Sequence, residues 1–91
     1  MPLFALICHD KPGHANLRQE NRAAHLAYAE ASGAVHMAGP FLDEAGGMTG
    51  SLVILDVAGR AAAEAWAAQD PYAQAGLFET VSIAAWKKVL G

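Results

Sequence analysis

Two short runs, Pro2–His9 (PLFALICH) and Thr49–Val57 (TGSLVILDV), constrain the fold more than any other feature of this chain. Read with a period of two, the first places Leu3, Ala5 and Ile7 on one face and Phe4, Leu6 and Cys8 on the other. Both faces are apolar, and the second run is the same until Asp56. Strands of this kind must be covered on both sides.

Cover on one side comes from two helical stretches. The spacing predicts a long helix over Asn16–Gly33, with Asn16 as N-cap, Gln19 three residues on, and Gly33 at the left-handed C′ position. Leu17, Asn21, Ala24, Tyr28 and Ala31 form its packing stripe, and Arg18, Arg22 and His25 run beside it. Arg60–Gln69 is alanine-rich without a breaker and reads as a second helix, packing through Ala62, Ala63 and Trp66 with Glu64 towards water. It ends at Asp70-Pro71, since a residue before proline is pushed out of the helical region. Tyr72–Gly76 reads as a turn or a single helical turn.

Asp10-Lys11-Pro12-Gly13 is a turn, Ala34–Phe41 a second strand, and Leu42–Met48, with Gly46-Gly47, a hairpin connection. In the second strand Val35, Met37, Gly39 and Phe41 share one face, with Ala34, His36 and Ala38 on the other. Pro40 makes it an edge strand or one that ends early. Leu77–Val89 is the last strand, with Val81 and Ile83 interior and Trp86 near its end. The order β-α-β-β-α-β predicts one α+β domain over residues 1–91, a four-stranded antiparallel sheet with both helices on a single face.

That leaves the other sheet face bare. The chain is 54% hydrophobic and 16% charged, against about 25% charged for an average domain. A small domain needs more polar cover, so the excess predicts surface hidden in a homodimer, the open faces of two sheets joined as an α+β barrel. The net charge of −3 argues against nucleic acid. No apolar run reaches the ~18 residues of a membrane span, and no signal-peptide pattern is present. Cys8 is the one cysteine and reads as a buried thiol. The expected location is cytoplasmic.

For chemistry, His25 lies nine residues past Asn16 and Asp70 ten past Arg60. Taking the first and third strands as parallel neighbours and the helices as running in the same direction, both residues fall about 14–15 Å along their helices and meet across the gap. A carboxylate on one imidazole nitrogen fixes the tautomer and raises the basicity of the other. The histidines at 9, 14, 25 and 36 have no metal-ligand spacing, and no phosphate loop or dinucleotide fingerprint occurs. No metal and no cofactor are expected.

The series Arg22-x-x-His25, Gly33, Gly39-Pro40, Gly50-Ser51, Asp70-Pro71-Tyr72 and Gly76 resembles the YCII-related proteins over nearly the whole chain. The resemblance implies a ferredoxin-like fold dimerising as an α+β barrel, with His25 and Asp70 as the catalytic pair. It also implies kinship with a dehydrochlorinase of chlorinated hydroxyquinol and with muconolactone isomerase-type barrels. Around that pair, Arg22 is placed to steer an anionic substrate, Ser51 to hold a substrate oxygen, and Gly39-Pro40 to shape the pocket wall beside Tyr72. Each has a plainer role as well. His25 suits an amphipathic edge, Asp70 a helix N-cap with proline at N1, Arg22 a solvated helix face, Ser51 a strand or turn, and Tyr72 packing. The expected activity is cofactor-free isomerisation or elimination on a small cyclic or aromatic substrate. The alternatives are a non-catalytic ligand-binding dimer and an antibiotic-biosynthesis-type monooxygenase barrel.

Overall fold

A hairpin decides the direction of everything that follows it in this chain. The computed structural model, which describes residues 1–91, orders the elements as β1 (Leu3–Asp10), α1 (Ala15–Ser32), β2 (Val35–Leu42), β3 (Met48–Asp56), α2 (Arg60–Gln69), α3 (Pro71–Gln74) and β4 (Phe78–Trp86). The four strands form one sheet in the order β2-β3-β1-β4. Every neighbouring pair is antiparallel, giving the ferredoxin-like α+β fold.

The β2–β3 hairpin reverses the chain, so β3 runs against β1 rather than with it, from Leu3 opposite Asp56 to His9 opposite Gly50. The two long helices therefore run in opposite directions, which corrects the parallel arrangement expected above. Their contacts show it: Ser32 and Tyr28 of α1 both reach Trp66 of α2, while His25 reaches Asp70 beyond its end.

The core lies between helices and sheet. Phe4, Leu6 and Cys8 of β1, Val53 and Leu55 of β3, and Val57 meet Ala63 and Trp66 of α2. Tyr28 and Ala29 of α1 and Ile83 of β4 pack against its rim. The alternation expected in β1 is observed. Ala62, expected to pack, is exposed, as are Ala24 and Ala31 of α1; the residues α1 buries are Arg18 and His25. The inward face of α1 is thus centred on the polar stripe, rotated from the one its small residues suggested.

Two boundaries and one strand register also differ. The cap of α1 is His14, whose carbonyl accepts the first helical bond from the Arg18 N–H, so Asn16 lies inside the first turn. Gly33 does end the helix, in the left-handed conformation at φ 65°. A register shift between Val35 and Met37 places Val35 opposite Leu55 on the helix side and Met37 opposite Ile54 on the other, so the extra residue divides two side chains expected on one face. In β4, which ends at Trp86 rather than Val89, Val81 sits on the helix side of the sheet but is 46% exposed rather than interior.

The opposite face carries Leu3, Ala5, Ile7, Leu52, Ile54 and Trp86 with no helix over it. No helix is long and apolar enough to cross a membrane.

Candidate functional site

The antiparallel helices bring the middle of α1 against the junction of α2 and α3. That junction is made by Asp70 and Pro71. Asp70 ends α2 and caps α3, its Oδ1 accepting the Tyr72 N–H at 3.0 Å, with Pro71 in the first turn. The same oxygen lies 2.8 Å from His25 Nδ1. Capping and contact with the imidazole are therefore simultaneous. Asp70 is 1% exposed and His25 8%, so water competes little for this hydrogen bond. An ionised carboxylate only accepts, so Nδ1 carries the hydrogen and Nε2 is left as the acceptor nitrogen of the neutral ring.

Tyr72 binds the group together. Its ring stacks on His25, and the Arg18 guanidinium carbon lies 4.6 Å from its centroid. His25 and Arg18 are two helical turns apart on α1, so the phenol ring fits between them. Phe78 closes its edge at 6.0 Å. Burial pushes the Tyr72 phenol up from its ordinary value, against the pull of Arg18 and Arg22, and Asp70 adds to the rise; the group is protonated at neutral pH.

Arg18 is held in turn by Asp10 and Ser51. Its Nε donates to Asp10 Oδ2 at 2.7 Å, and its Nη2 to Asp10 Oδ1 and to Ser51 Oγ, both at 2.9 Å. Burial alone would lower the Arg18 value, but the hydrogen bond and charge of Asp10 outweigh it and the guanidinium is held above its ordinary range. Asp10, at the end of β1, and Arg18, at the close of the first turn of α1, face each other across the Pro12-Gly13 turn. Beneath them on β1, burial pushes the Cys8 thiol up to about 12, with the Asp70 and Asp10 charges adding to it.

A cavity of about 190 Å³ lies between α1 and the β2–β3 side of the sheet. Arg18, Arg22, His25, Ser51, Tyr72, Gly39 and Pro40 all line it, together with Leu26, Ala38, Met48 and Val53. The structure thus gathers the sequence-predicted residues in one place, with Asp70 behind the imidazole rather than on the wall. Ser51 reaches the cavity, but its hydroxyl also accepts from Arg18. An adjoining recess of about 400 Å³ shares Arg18, Arg22 and Met48. A ring-sized cavity of about 150 Å³ admits benzene, so the inner space suits one six-membered ring with small substituents.

Asp10 and Arg18 were given no role by sequence reasoning. The signal available was a carboxylate and a guanidinium eight positions apart, bracketing a turn between strand and helix. No group of three or more His, Cys, Asp or Glu side chains is arranged to hold a metal ion.

Comparison with known proteins agrees with this architecture. The YCII-related domain family matches residues 2–87. Protein YciI of Escherichia coli O6:H1 is 38% identical over 96% of this chain and 98% of its own length, and its Shigella flexneri counterpart is the same. An uncharacterised Haemophilus influenzae protein is 35% identical over 94% of this chain and 97% of its own. Among solved structures, the 5-chloro-2-hydroxyhydroquinone dehydrochlorinase TftG of Burkholderia phenoliruptrix AC1100, in complex with 2,5-dihydroxybenzoquinone, superposes with a TM-score of 0.85. It is 33% identical, with 93% of each chain covered. Sequence and fold therefore give the same answer: the chain belongs to the YCII-related family.

Proposed function

We propose that this protein is a small enzyme that moves a proton on a single-ring substrate, with His25 as the base and Asp70 as the residue that orients it. The observation that carries this reading is the 2.8 Å contact between His25 Nδ1 and Asp70 Oδ1, which leaves Nε2 for the cavity that the imidazole lines. Tyr72 holds the imidazole plane from one side and Ser51 offers a hydroxyl to a substrate oxygen. Gly39 and Pro40 shape the wall, and Arg22 stands at the mouth.

A base in such a cavity supports two related reactions. It takes a proton from a ring carbon or hydroxyl, and the electron pair left behind either expels a leaving group or reorganises the ring before the proton returns at another atom. The first is elimination, the class to which the dehydrochlorinase named above belongs; the second is isomerisation. Neither needs a group that the chain does not carry. A well-placed base contributes about 10²–10⁴-fold in rate.

The test is chloride release from 5-chloro-2-hydroxyhydroquinone and tautomerisation of hydroxylated ring compounds. His25→Ala abolishes turnover, and Asp70→Asn lowers kcat by about 10²-fold or more while the ligand still binds. Full activity in His25→Ala overturns the proposal. Tight binding without turnover in the unaltered protein identifies a ligand-binding dimer instead. Oxygen uptake with quinol substrates identifies a monooxygenase.

The proposal includes a homodimer joined through the helix-free sheet face. Leu3, Ile7 and Leu52 are apolar and half-buried there, and Trp86 at its edge is 40% exposed. Burying this face is favourable at about 25 cal/mol per Å² of apolar surface. Light scattering reads a mass of two chains for the unaltered protein and of one for Leu52→Asp, at a half-buried position of the open face; a single-chain mass without substitution overturns it.

A further inference from the structure

The charge around the cavity runs against the charge of the chain. The whole protein is net −3, yet no Asp or Glu lines either the cavity or the adjoining recess, and both contain Arg18 and Arg22. The two arginines are not equivalent. Arg18 is neutralised by its paired hydrogen bonds to Asp10 and is held to Ser51 and Tyr72. Arg22 is exposed and takes part in none of the ion pairs of the chain. The Asp70 charge, the other carboxylate at hand, is directed at His25 and the Tyr72 N–H. The uncompensated charge at the mouth is therefore the Arg22 guanidinium.

Its place beside the imidazole sets what it can hold. Arg22 precedes His25 by three residues on α1, so the two side chains are neighbours on one helix face. Both line the same cavity, so one ring-sized ligand there is within reach of both. We propose that Arg22 is a specificity-determining residue that selects substrates bearing a carboxylate on the ring, held at the recess while an acidic ring position meets His25 Nε2. The natural substrate is then an anionic, hydroxylated single-ring acid rather than a neutral quinol. The inference rests on the reading of the cavity as a ring-binding site. A planar guanidinium matches a carboxylate through two parallel hydrogen bonds, which a neutral ring substituent cannot use fully.

The experiment compares two probes that differ only in the carboxylate, 2,5-dihydroxybenzoate and 1,4-dihydroxybenzene, by calorimetry and by chemical-shift changes at His25 and Tyr72. The carboxylate probe binds about 10-fold more tightly to the unaltered protein, and raising the salt concentration weakens that probe alone. Arg22→Gln removes the difference. Arg60→Gln, which deletes a remote surface charge paired with Glu64 on α2, preserves it. Equal affinity for the two probes, or a preference that survives Arg22→Gln, overturns the role of Arg22 and leaves the ring-binding cavity standing. Failure of both probes to bind or to shift His25 overturns the cavity reading and the specificity role with it.

Discussion

The Tyr72 ring lies nearly parallel to the His25 imidazole, centroids 4.0 Å apart and planes 12° from parallel. Because the Tyr72 N–H also donates to Asp70, one residue fixes both members of the His25–Asp70 pair. The ring current gives a direct readout. In Tyr72→Ala the His25 ring protons move downfield and stability falls by about 3–5 kcal/mol, as for other buried aromatic truncations. Tyr72→Phe retains the stacking, and its unfolding free energy from urea titration stays within about 1 kcal/mol of that of the unaltered protein.

Asp10 and Arg18 are a nearly buried ion pair, and removing one partner strands the other. Asp10→Asn or Arg18→Met alone costs about 3–5 kcal/mol in urea unfolding. The double replacement costs less than the sum, with a coupling of about 1–3 kcal/mol in the double-mutant cycle. Strict additivity would show that Ser51 and solvent hold Arg18 without Asp10.

Gly50 is a position where only hydrogen fits. A Cβ there would collide with the backbone oxygen of Cys8 on the neighbouring strand and would also crowd the Phe41 ring. Relief requires β1 and β3 to move apart just beside Ser51. Gly50→Ala therefore destabilises the protein by about 2 kcal/mol or more and speeds amide exchange at His9 and Ser51. Exchange unchanged at both residues would contradict the close approach.

Cys8 is 1% exposed and its thiol is pushed up to about 12 from 9.0. It resists alkylation in the native protein and reacts on unfolding. The sign of the pH dependence follows from proton binding: above pH 9 the unfolded thiol loses its proton while the folded one keeps it, so the native state binds more protons and stability falls with rising pH. The contribution is intact below 9.0 and is lost between 9.0 and about 12. Burial raises the Tyr28 and Tyr72 phenols too, which steepens the same limb. Urea midpoints on either side of pH 9 check this, and Cys8→Ala flattens part of the slope.

Much of this architecture was legible before any coordinates. The period-two alternation of Leu3 to Cys8, the breaker-free Arg60–Gln69, Gly33 and Asp70-Pro71 are local signals, each set by the residues beside it. They are enough to order the elements. The resemblance to the YCII-related proteins pairs His25 with Asp70, and the two are in contact. The helix geometry that predicts the same pair is wrong: the helices run in opposite directions, and the contact forms where the end of α2 crosses the middle of α1.

What stayed hidden depends on contacts through space. The rotation of α1 that buries Arg18 and His25 follows from partners offered by Asp10, Ser51, Tyr72 and Asp70. Hydropathy alone would send a guanidinium outward, because it scores the side chain without its hydrogen bonds. The bulge that parts Val35 from Met37 is likewise set by the partner strand. Amino-acid order by itself determined which segments are strands and helices and how they connect, since those choices are made within a few residues. The tertiary structure alone decided which polar groups are buried together, since desolvating a charge becomes tolerable only when a partner from another element arrives at hydrogen-bonding distance.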